Sequence, residues 1–415
     1  MQPPLTLPDG RIDARSLDPG GMRALLEGQG NEEWRALQAY KYAWMPHVDR
    51  FEQVRTIPKV TRRALEEVAG LASLALAARL DSEDGTRKYV WELHDGGFVE
   101  SVLIPDEDHP GGRRLTLCVS SQVGCAMACS FCLTGDLGLK RHLSPSEIAN
   151  QIRQVQGDLG AERRITNIVM MGMGEPLHNL DNLLRALTNM KHDYGLGLSH
   201  RKITVSTVGL VPAMQILMSS SPVNLAVSLN ATTEEQRRQL MPITRRWSLE
   251  ALMEACRSLP LARGRRITFE YVMLKGFNDS MDDARRLAAL MQGVPCKINL
   301  IPYNENPERD LLRPSDLVVW RFQDHLVNQG LHTSVRRTRG RDISAACGQL
   351  GGAEQLARRA TGSDTSSSDP SARWRVEQRE RARRGEARRI DDGQGDLLAV
   401  PPALPDPGPV AESAP

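Results

Sequence analysis

Three cysteines within eight residues constrain this chain more than any other feature of its sequence. Cys125, Cys129 and Cys132 lie in the stretch "SSQVGCAMACSFC" with the spacing CxxxCxxC, directly after the strand-like run "LTLCVSS". A structural zinc site normally takes four ligands in paired spacings, so zinc would need a distant fourth ligand here. A cubane iron–sulfur cluster held by three thiolates keeps one iron open to a substrate or cofactor. The spacing alone leaves both interpretations open.

Length and composition indicate a globular protein of enzyme size. The 415 residues are 40% hydrophobic and 25% charged, which favours one large domain with smaller attachments. The most apolar stretch, residues 71–80, is much shorter than the ~20 residues of a membrane span, and the start lacks the pattern of a signal peptide. Seven cysteines without an export signal favour metal-binding or catalytic thiols over structural disulfides. We therefore expect a cytoplasmic protein that does not contact the membrane.

Four segments are predicted along the chain. Residues 1–84 have helical apolar spacing and predict a small accessory domain, in which "TRRALEEVAGLASLALAARL" forms one helix. Residues 85–110 contain two alternating runs around Asp95, Gly96 and Gly97, which predict a β-hairpin that carries Glu100. Residues 111–350 form the core, and residues 351–415 have the arginine-rich and proline-rich composition of a disordered tail.

The core segment alternates strands with helices, which is the pattern of an α/β fold. Six strand-like runs from "LTLCVSS" to "CKINLIP" are followed by a seventh, "HTSVRR". The clearest helix begins at "SPSEIANQIRQVQ", where Ser144 and Glu147 have the spacing of a capping box and Pro145 occupies the first helical position. Parallel βα units of this kind favour a partial or complete barrel, with the chemistry at the carboxyl ends of the strands.

Further motifs along the chain resemble one enzyme family. They are "ITNIVMMGMGEPL", "ITVSTVGLVP", "EYVMLKGFND", "CKINLIPYN" and "RRTRGRDISAACGQL". With the cysteine motif, they make residues 11–350 similar to the RlmN-type rRNA methyltransferases of the radical S-adenosylmethionine (SAM) enzymes, of which Cfr is a close relative. The resemblance implies a radical SAM partial (βα)6 barrel, a 4Fe–4S cluster on Cys125, Cys129 and Cys132, and SAM as the second cofactor.

The resemblance also implies a two-stage reaction, because an aromatic C–H carbon of adenine is not nucleophilic. One SAM methylates Cys347, and a second SAM is cleaved to a 5'-deoxyadenosyl radical that takes hydrogen from this S-methyl group. The resulting carbon radical adds to adenine, Glu100 accepts the proton from the attacked carbon, and Cys118 resolves the adduct through a transient disulfide. Without the resemblance, Cys118 would be a free core cysteine and Glu100 an exposed strand carboxylate. Cys256 and Cys296 are predicted to be small buried hydrophobic residues.

SAM itself is expected to contact polar groups and backbone at the strand ends. Gly174 lets the backbone approach the ligand, and Glu175 is expected to accept hydrogen bonds from the SAM ammonium. Asn230 stands where the family usually has histidine. By resemblance, the SAM contacts are Gly174, Glu175, Ser206, Ser228, Leu229, Asn230 and Asn304.

The implied function is methylation of C2 of an adenine in 23S rRNA at the peptidyl-transferase centre. An anticodon-loop adenosine of tRNA is a second candidate substrate, and the base is expected to be unstacked or flipped. Two alternatives are C8 methylation of the Cfr type and a non-catalytic RNA-binding protein that holds zinc. An electron donor such as flavodoxin and a monomeric state are expected. The arginine group near the end of the core is predicted to bind RNA phosphates; its members are Arg336, Arg337, Arg339 and Arg341.

Overall fold

The computed structural model describes residues 5–28, 33–106, 114–306 and 309–352. All of them belong to a compact unit that spans Met1–Ser363, whereas a second unit spans Asp364–Pro415. The predicted tail lies outside the described residues from residue 353 onward. In the ranges that the structure describes, no helix has the length and apolar character needed to cross a bilayer.

The N-terminal part packs short elements around its own core. It contains β1 (Ile12–Asp13), α1 (Pro19–Glu27), α2 (Glu33–Ala43), α3 (Lys59–Val68) and β2 (Ala69–Gly70). Met22, Tyr40, Phe51 and Leu65 are fully buried in this core, and β1 pairs with β2. Within residues 19–68, helices are therefore present where they were predicted, and a short pair of strands packs with them.

A ten-stranded sheet dominates the described residues, in the order β14-β13-β12-β11-β10-β9-β6-β5-β4-β3. Its antiparallel part consists of β3 (Ala75–Asp81), β4 (Arg87–Glu92) and β5 (Phe98–Asp106). Its parallel part consists of β6 (Arg114–Cys118), β9 (Asn167–Met170), β10 (Ile203–Thr207), β11 (Asn224–Ser228), β12 (Ile267–Met273), β13 (Cys296–Pro302) and β14 (Thr333–Val335). A separate pair, β7 (Gln122–Gly124) and β8 (Leu139–His142), lies beside it.

Helices connect the parallel strands. They are α4 (Leu133–Asp136), α5 (Pro145–Leu159), α6 (Leu180–Lys191), α7 (Val211–Ser220), α8 (Glu234–Leu240), α9 (Leu249–Ser258), α10 (Met281–Leu290) and α11 (Asp316–Asn328). Apolar residues such as Ile203, Phe269 and Ile298 are fully buried on one face of their strands, whereas Thr204, Thr268 and Lys297 on the other face line a cavity. Since no pairing of β14 with β3 closes the described sheet, the α/β prediction of a partial barrel is confirmed.

Two local predictions about α5 and the hairpin are also confirmed. The Ser144 hydroxyl accepts from the Glu147 backbone N–H, and the Glu147 carboxylate accepts from the Ser144 N–H, as a capping box requires. Strands β4 and β5 pair antiparallel on either side of Asp95, Gly96 and Gly97, where Gly96 has a φ of +77°. The hairpin joins β6 directly, so it continues the core sheet instead of standing apart from it.

The helix predicted through residues 71–80 is wrong. Helix α3 ends at Val68, and Ala75–Asp81 forms β3, which pairs antiparallel with β4. The strand lies at the sheet edge, and Leu76 and most other side chains of β3 are exposed or half-buried, so no alternating apolar pattern marks it in the sequence. Pairing with the neighbouring strand overrides the helical propensity of its alanine and leucine residues.

Candidate active site

The cysteine motif forms a tight loop between β7 and α4. Gly124 has a φ of +75°, and a Cβ there would lie 1.8 Å from the Gly138 carbonyl oxygen, so only glycine fits. Ala128 also adopts a left-handed conformation, with a φ of +48°. A Cβ on Gly135 would approach the Ala128 Cα to 3.1 Å, so the start of α4 packs closely on the loop. The small residues around the cysteines therefore set the shape of the loop.

The loop brings the three predicted cluster ligands together. Cys129 is buried, and Cys125 and Cys132 are half-buried. Burial raises the pKa of the Cys125 thiol to about 12 and that of Cys129 well above its usual value, and neighbouring thiols act in the same direction. Three deprotonated thiols that are close together in a buried loop require a positively charged group between them. The described residues contain no group of three acidic, histidine or cysteine side chains that could hold a single metal ion; a cubane spreads its ligands more widely.

Other groups beside the loop also fit an iron–sulfur cluster. The Arg309 guanidinium donates to the Cys132 carbonyl oxygen at 3.0 Å. The Tyr303 hydroxyl, which interacts electrostatically with Cys132, is buried without a hydrogen-bond partner among the described residues. In the same part of the chain, the Nε of Arg237, which interacts electrostatically with Cys129, also lacks one. Buried polar atoms are rarely left unsatisfied, so these two are suited to a bound group.

Gly174 and Glu175 lie against the cluster loop, after β9. Gly174 has a φ of +97°, and a Cβ there would lie 2.5 Å from the Cβ of Gln122, so the turn again requires glycine. The Glu175 carboxylate accepts from the backbone N–H groups of Leu177 at 3.0 Å and Val208 at 2.9 Å. Burial raises its pKa to about 7. A carboxylate with this burial and spare lone pairs favours a cationic ligand, such as the ammonium group of SAM.

Gln122 is a functional candidate that the sequence reasoning missed. Its side-chain oxygen accepts from the Glu175 N–H at 2.7 Å, and its side-chain nitrogen lies 2.9 Å from Nδ1 of His142 and 3.3 Å from Nδ1 of His178. Gln122 is fully buried, and it positions the backbone that presents Glu175. Its position three residues before Cys125 could have indicated a functional role. A buried glutamine otherwise has no characteristic sequence pattern.

Ser206, Ser228 and Leu229 lie at the carboxyl ends of β10 and β11, as predicted. The Ser206 hydroxyl donates to the Glu270 carboxylate at 2.9 Å, and Leu229 N–H donates to the Glu270 carbonyl oxygen at 2.9 Å. Ser228 is half-buried at the end of its strand. Glu270 on β12 therefore fixes this edge of the barrel mouth, and it is a second residue that the sequence did not single out.

Asn230 uses its side chain within the protein. Its amide oxygen accepts from the Val272 N–H at 2.9 Å, and its backbone has a φ of +59°. Asparagine and histidine are both enriched among residues that adopt this left-handed conformation. The departure from the family's usual histidine therefore preserves the backbone requirement at this position.

Asn304 holds the segment that carries Cys347. Its side-chain nitrogen donates to the Cys347 carbonyl oxygen at 3.2 Å, and its oxygen accepts from the Thr338 hydroxyl at 2.7 Å. Two hydrogen bonds also attach this segment to α4. The Leu133 N–H donates to the Gly348 carbonyl oxygen at 2.9 Å, and the Thr134 hydroxyl donates to the Leu350 carbonyl oxygen at 2.7 Å. The Cys347 segment is thus tied directly to the helix that follows the cluster loop.

Cys118 and Cys347 line the same cavity, although they are far apart in sequence. The cavity has a volume of about 570 Å³, and Glu270 and Arg336 also line it. Burial raises the pKa of both thiols, that of Cys118 to about 12. The nearby Arg336 guanidinium offsets part of the rise in the pKa of Cys347. All seven cysteines are free in the structure, so the disulfide implied by the resemblance is not supported.

The other two cysteines follow the prediction for buried apolar residues only in part. Cys256 is buried on α9, whereas Cys296 is half-buried at the start of β13. In the arginine group near the end of the core, Arg336, Arg337 and Arg339 line the cavity with the two thiols. Arg337 and Arg341 are exposed, so the binding of RNA phosphates by this group stays a prediction.

Glu100 lies on the cavity side of β5 and is fully buried, so it is not the exposed strand carboxylate that its sequence context alone would suggest. Val102 is paired with Cys118 across β5 and β6, and Glu100 is two residues before Val102, so the three side chains share one face of the sheet. The Glu100 carboxylate lies 3.4 Å from Nζ of Lys88 and accepts from the Gly351 N–H at 3.3 Å. These contacts place it under the Cys347 segment.

Comparison with known proteins agrees with this architecture. Residues 119–288 match the family model of the radical SAM superfamily. The structure of a radical SAM methyltransferase from Sphaerobacter thermophilus is similar, with a TM-score of 0.76, 39% identity, and coverage of 81% of this chain and 98% of that one. A dual-specificity RNA methyltransferase RlmN from Geobacter sulfurreducens is 50% identical over 344 residues, which cover 83% of this chain and 93% of the relative. RlmN 2 from Myxococcus xanthus is 46% identical over 354 residues, which cover 84% and 92%.

The fold and the cysteine loop define a radical SAM enzyme, which uses a 4Fe–4S cluster and SAM. More narrowly, the chain belongs to the RlmN family of RNA methyltransferases. It is therefore an enzyme that acts on RNA, and the alternative of a non-catalytic zinc-binding protein is wrong.

Proposed function

We propose that this enzyme methylates C2 of an adenine in 23S rRNA at the peptidyl-transferase centre, and C2 of an anticodon-loop adenosine in tRNA. The observation that carries the proposal is the shared cavity of Cys118 and Cys347 next to the cluster loop. Two free thiols at one cavity are suited to a covalent route to an unreactive carbon. The relatives are named dual-specificity RNA methyltransferases, which supports two RNA substrates.

In this proposal, each group of residues has a separate task. Cys125, Cys129 and Cys132 bind the cluster, which with SAM supplies the radical that activates the methyl group. Glu175 accepts from the SAM ammonium, while the remaining contacts surround SAM at the strand ends; they are Gly174, Ser206, Ser228, Leu229, Asn230 and Asn304. A reduced carrier such as flavodoxin supplies the electron, and the enzyme acts as a monomer.

Cys347 is proposed to carry the methyl group to the base. Its segment is tied to α4 by Leu133 and Thr134, so the thiol remains close to the cluster side of the barrel while it faces the cavity. Burial raises the pKa of Cys347, and the Arg336 guanidinium offsets part of this rise, so Arg336 supports the thiolate form that would attack the methyl group of SAM. Cys118 lines the same cavity as Cys347, which supports its proposed role in resolving the RNA–protein adduct.

Glu100 is proposed to take the proton from the attacked carbon, and its removal is expected to trap the adduct. Glu100→Gln keeps the size and the acceptor oxygen of the side chain but removes the base, so methylated Cys347 should add to RNA and then stay attached. The measurement is the fraction of protein covalently bound to RNA on a denaturing gel, which should rise at least about 10-fold over the wild type.

Glu92→Gln, at an exposed position on the neighbouring strand β4, is the matched control and should leave no extra adduct. Normal turnover of Glu100→Gln without a trapped adduct would remove Glu100 from the mechanism.

The proposed substrates are tested by mass spectrometry of RNA nucleosides from a strain that lacks this gene. We expect 2-methyladenosine to disappear from 23S rRNA and tRNA and to return when the wild-type gene is restored. If 8-methyladenosine disappears instead, the enzyme has the C8 specificity of the Cfr type. If only one of the two RNAs changes, the dual substrate range is contradicted.

A further inference from the structure

Lys88 is a buried cation in direct contact with the proposed base. It lies on β4, its side chain is 2% exposed, and its Nζ is 3.4 Å from the carboxylate of Glu100, which is 0% exposed. The two strands are paired so that Lys88 faces Val102 and Val90 faces Glu100, which places both charged side chains on one face of the sheet. Lysine is rarely buried without a specific partner, so this pair requires an explanation.

Lys88 also contacts the segment that carries Cys347. Its Nζ donates to the Ser344 carbonyl oxygen at 3.2 Å, while the partner Glu100 accepts from the Gly351 N–H at 3.3 Å. Ser344 has a φ of +50°, a conformation that is unfavourable for serine and needs support from its surroundings. The ion pair therefore contacts both ends of residues 344–351, with the methyl-carrying cysteine between them.

We propose that Lys88 is a positioning residue for the methyl transfer: its ammonium group keeps Glu100 ionised and ready to accept the proton, and it anchors the Cys347 segment above that base. The inference rests on the proposed role of Glu100. It assigns a task to a residue whose side chain touches neither the cluster loop nor the SAM-binding turns described above.

The electrostatic argument follows from burial. A carboxyl group without contact to water favours its neutral form, which cannot accept a proton, and an adjacent ammonium reverses this preference. During the reaction, the proton leaves the attacked carbon and binds to the Glu100 carboxylate, while the electron pair of the C–H bond stays in the adenine ring. The unpaired electron that radical addition leaves in the ring would pass to the oxidised cluster. Glu100 later releases the proton to solvent.

The direction of the pH effect can be stated from the groups around Glu100. The titratable and charged groups on this face of the sheet are Lys88 on β4, Asp106 on β5, Arg114 and Cys118 on β6, Glu270 on β12, Lys297 on β13, and Arg336, Arg337, Arg339 and Cys347 near the end of the core. Replacing Lys88 by a neutral residue removes a positive charge, so the pKa of Glu100 should rise. The base then becomes protonated at a higher pH, and the acidic limb of the rate profile should move upward.

The test separates the two stages of the reaction in the reconstituted full-length enzyme. Lys88→Gln keeps a hydrogen-bond donor near Ser344 but loses the charge. We expect Cys347 methylation, measured by protein mass spectrometry, to stay within about twofold of the wild type, because that stage does not use Glu100. Release of the RNA adduct should slow about 10-fold on the acidic limb of the pH profile and recover as the pH rises, which corresponds to a shift of about one pH unit.

Lys88→Arg restores the charge and is expected to restore the wild-type profile, and Lys140→Met, at an exposed position on β8, is the control. An unshifted profile in Lys88→Gln overturns the inference. The inference also fails if Lys88→Gln and Lys88→Met lose Cys347 methylation to the same extent and Lys88→Arg restores it. Lys88 would then have only a structural role. If Glu100→Gln turns over normally, the proposed base fails; if it traps adduct while Lys88→Gln is unshifted, only the role of Lys88 fails.

Discussion

Cys347→Ala is expected to abolish RNA methylation while leaving the cluster and the fold intact. The cysteine lies in a segment held by backbone contacts to α4 and by Asn304, and none of these contacts uses its sulfur. Removing the sulfur removes the covalent carrier, so the rate should fall by on the order of 10³-fold or more. Iron content and absorbance should match the wild type, and liquid chromatography with mass spectrometry of the RNA product measures the loss.

Cys256→Ala is the matched control for this substitution. Cys256 is buried on α9 and is not among the residues that line the cavity with Cys118 and Cys347, so its loss should cost some stability but leave methylation within a few-fold. Methylation by Cys347→Ala at more than a tenth of the wild-type rate would contradict a methyl-carrying role for Cys347.

Replacing Cys125, Cys129 and Cys132 together by alanine is expected to remove the cluster completely. The iron content of anaerobically reconstituted protein should fall from about four irons per chain to nearly none, and methylation should become undetectable. The loop should keep its shape without the thiols, because its course is set by Gly124, Gly135 and their close packing rather than by the sulfurs.

Iron and sulfide analysis with the visible absorption spectrum measures this effect. Cys296→Ala, at the half-buried start of β13, controls for the loss of a thiol outside the loop and should retain all of its iron. Near-stoichiometric iron in the triple variant would show that other residues bind the cluster.

Features encoded by short segments could be predicted from the sequence. The capping box at Ser144 and the hairpin turn at Gly96 depend on residues a few positions apart, and both are present in the structure. The parallel strands are also evident in sequence, because apolar residues such as Phe269 and Ile298 are buried on one face and alternate with polar residues that line the cavity on the other.

Features that depend on distant pairing were not predictable in the same way. Strand β3 has alanine and leucine residues that suit a helix, and only its pairing with β4 makes it a strand. The burial of Glu100 is similar, since Lys88 on the adjacent strand and the Cys347 segment, about 250 residues later, cover it. The closeness of Cys118 and Cys347 entered the sequence interpretation through the family resemblance, not through spacing.

Supporting polar residues escaped the sequence analysis for a physical reason. Gln122 positions Glu175 through a single side-chain hydrogen bond, and Glu270 fixes Ser206 across two strands. Such contacts use common residue types without periodicity, so nothing in the local sequence distinguishes them from exposed polar residues. The three-dimensional arrangement is needed to identify them.

In the proposed mechanism, three cysteines bind the cluster and leave one of its irons free to bind SAM. Electron paramagnetic resonance of the dithionite-reduced, reconstituted enzyme tests it most directly, with spectra taken before and after addition of SAM. We expect a change in the g values that saturates at one SAM per cluster and that is weakened in Glu175→Gln. An unchanged spectrum at saturating SAM, from a fully loaded cluster, would contradict the account.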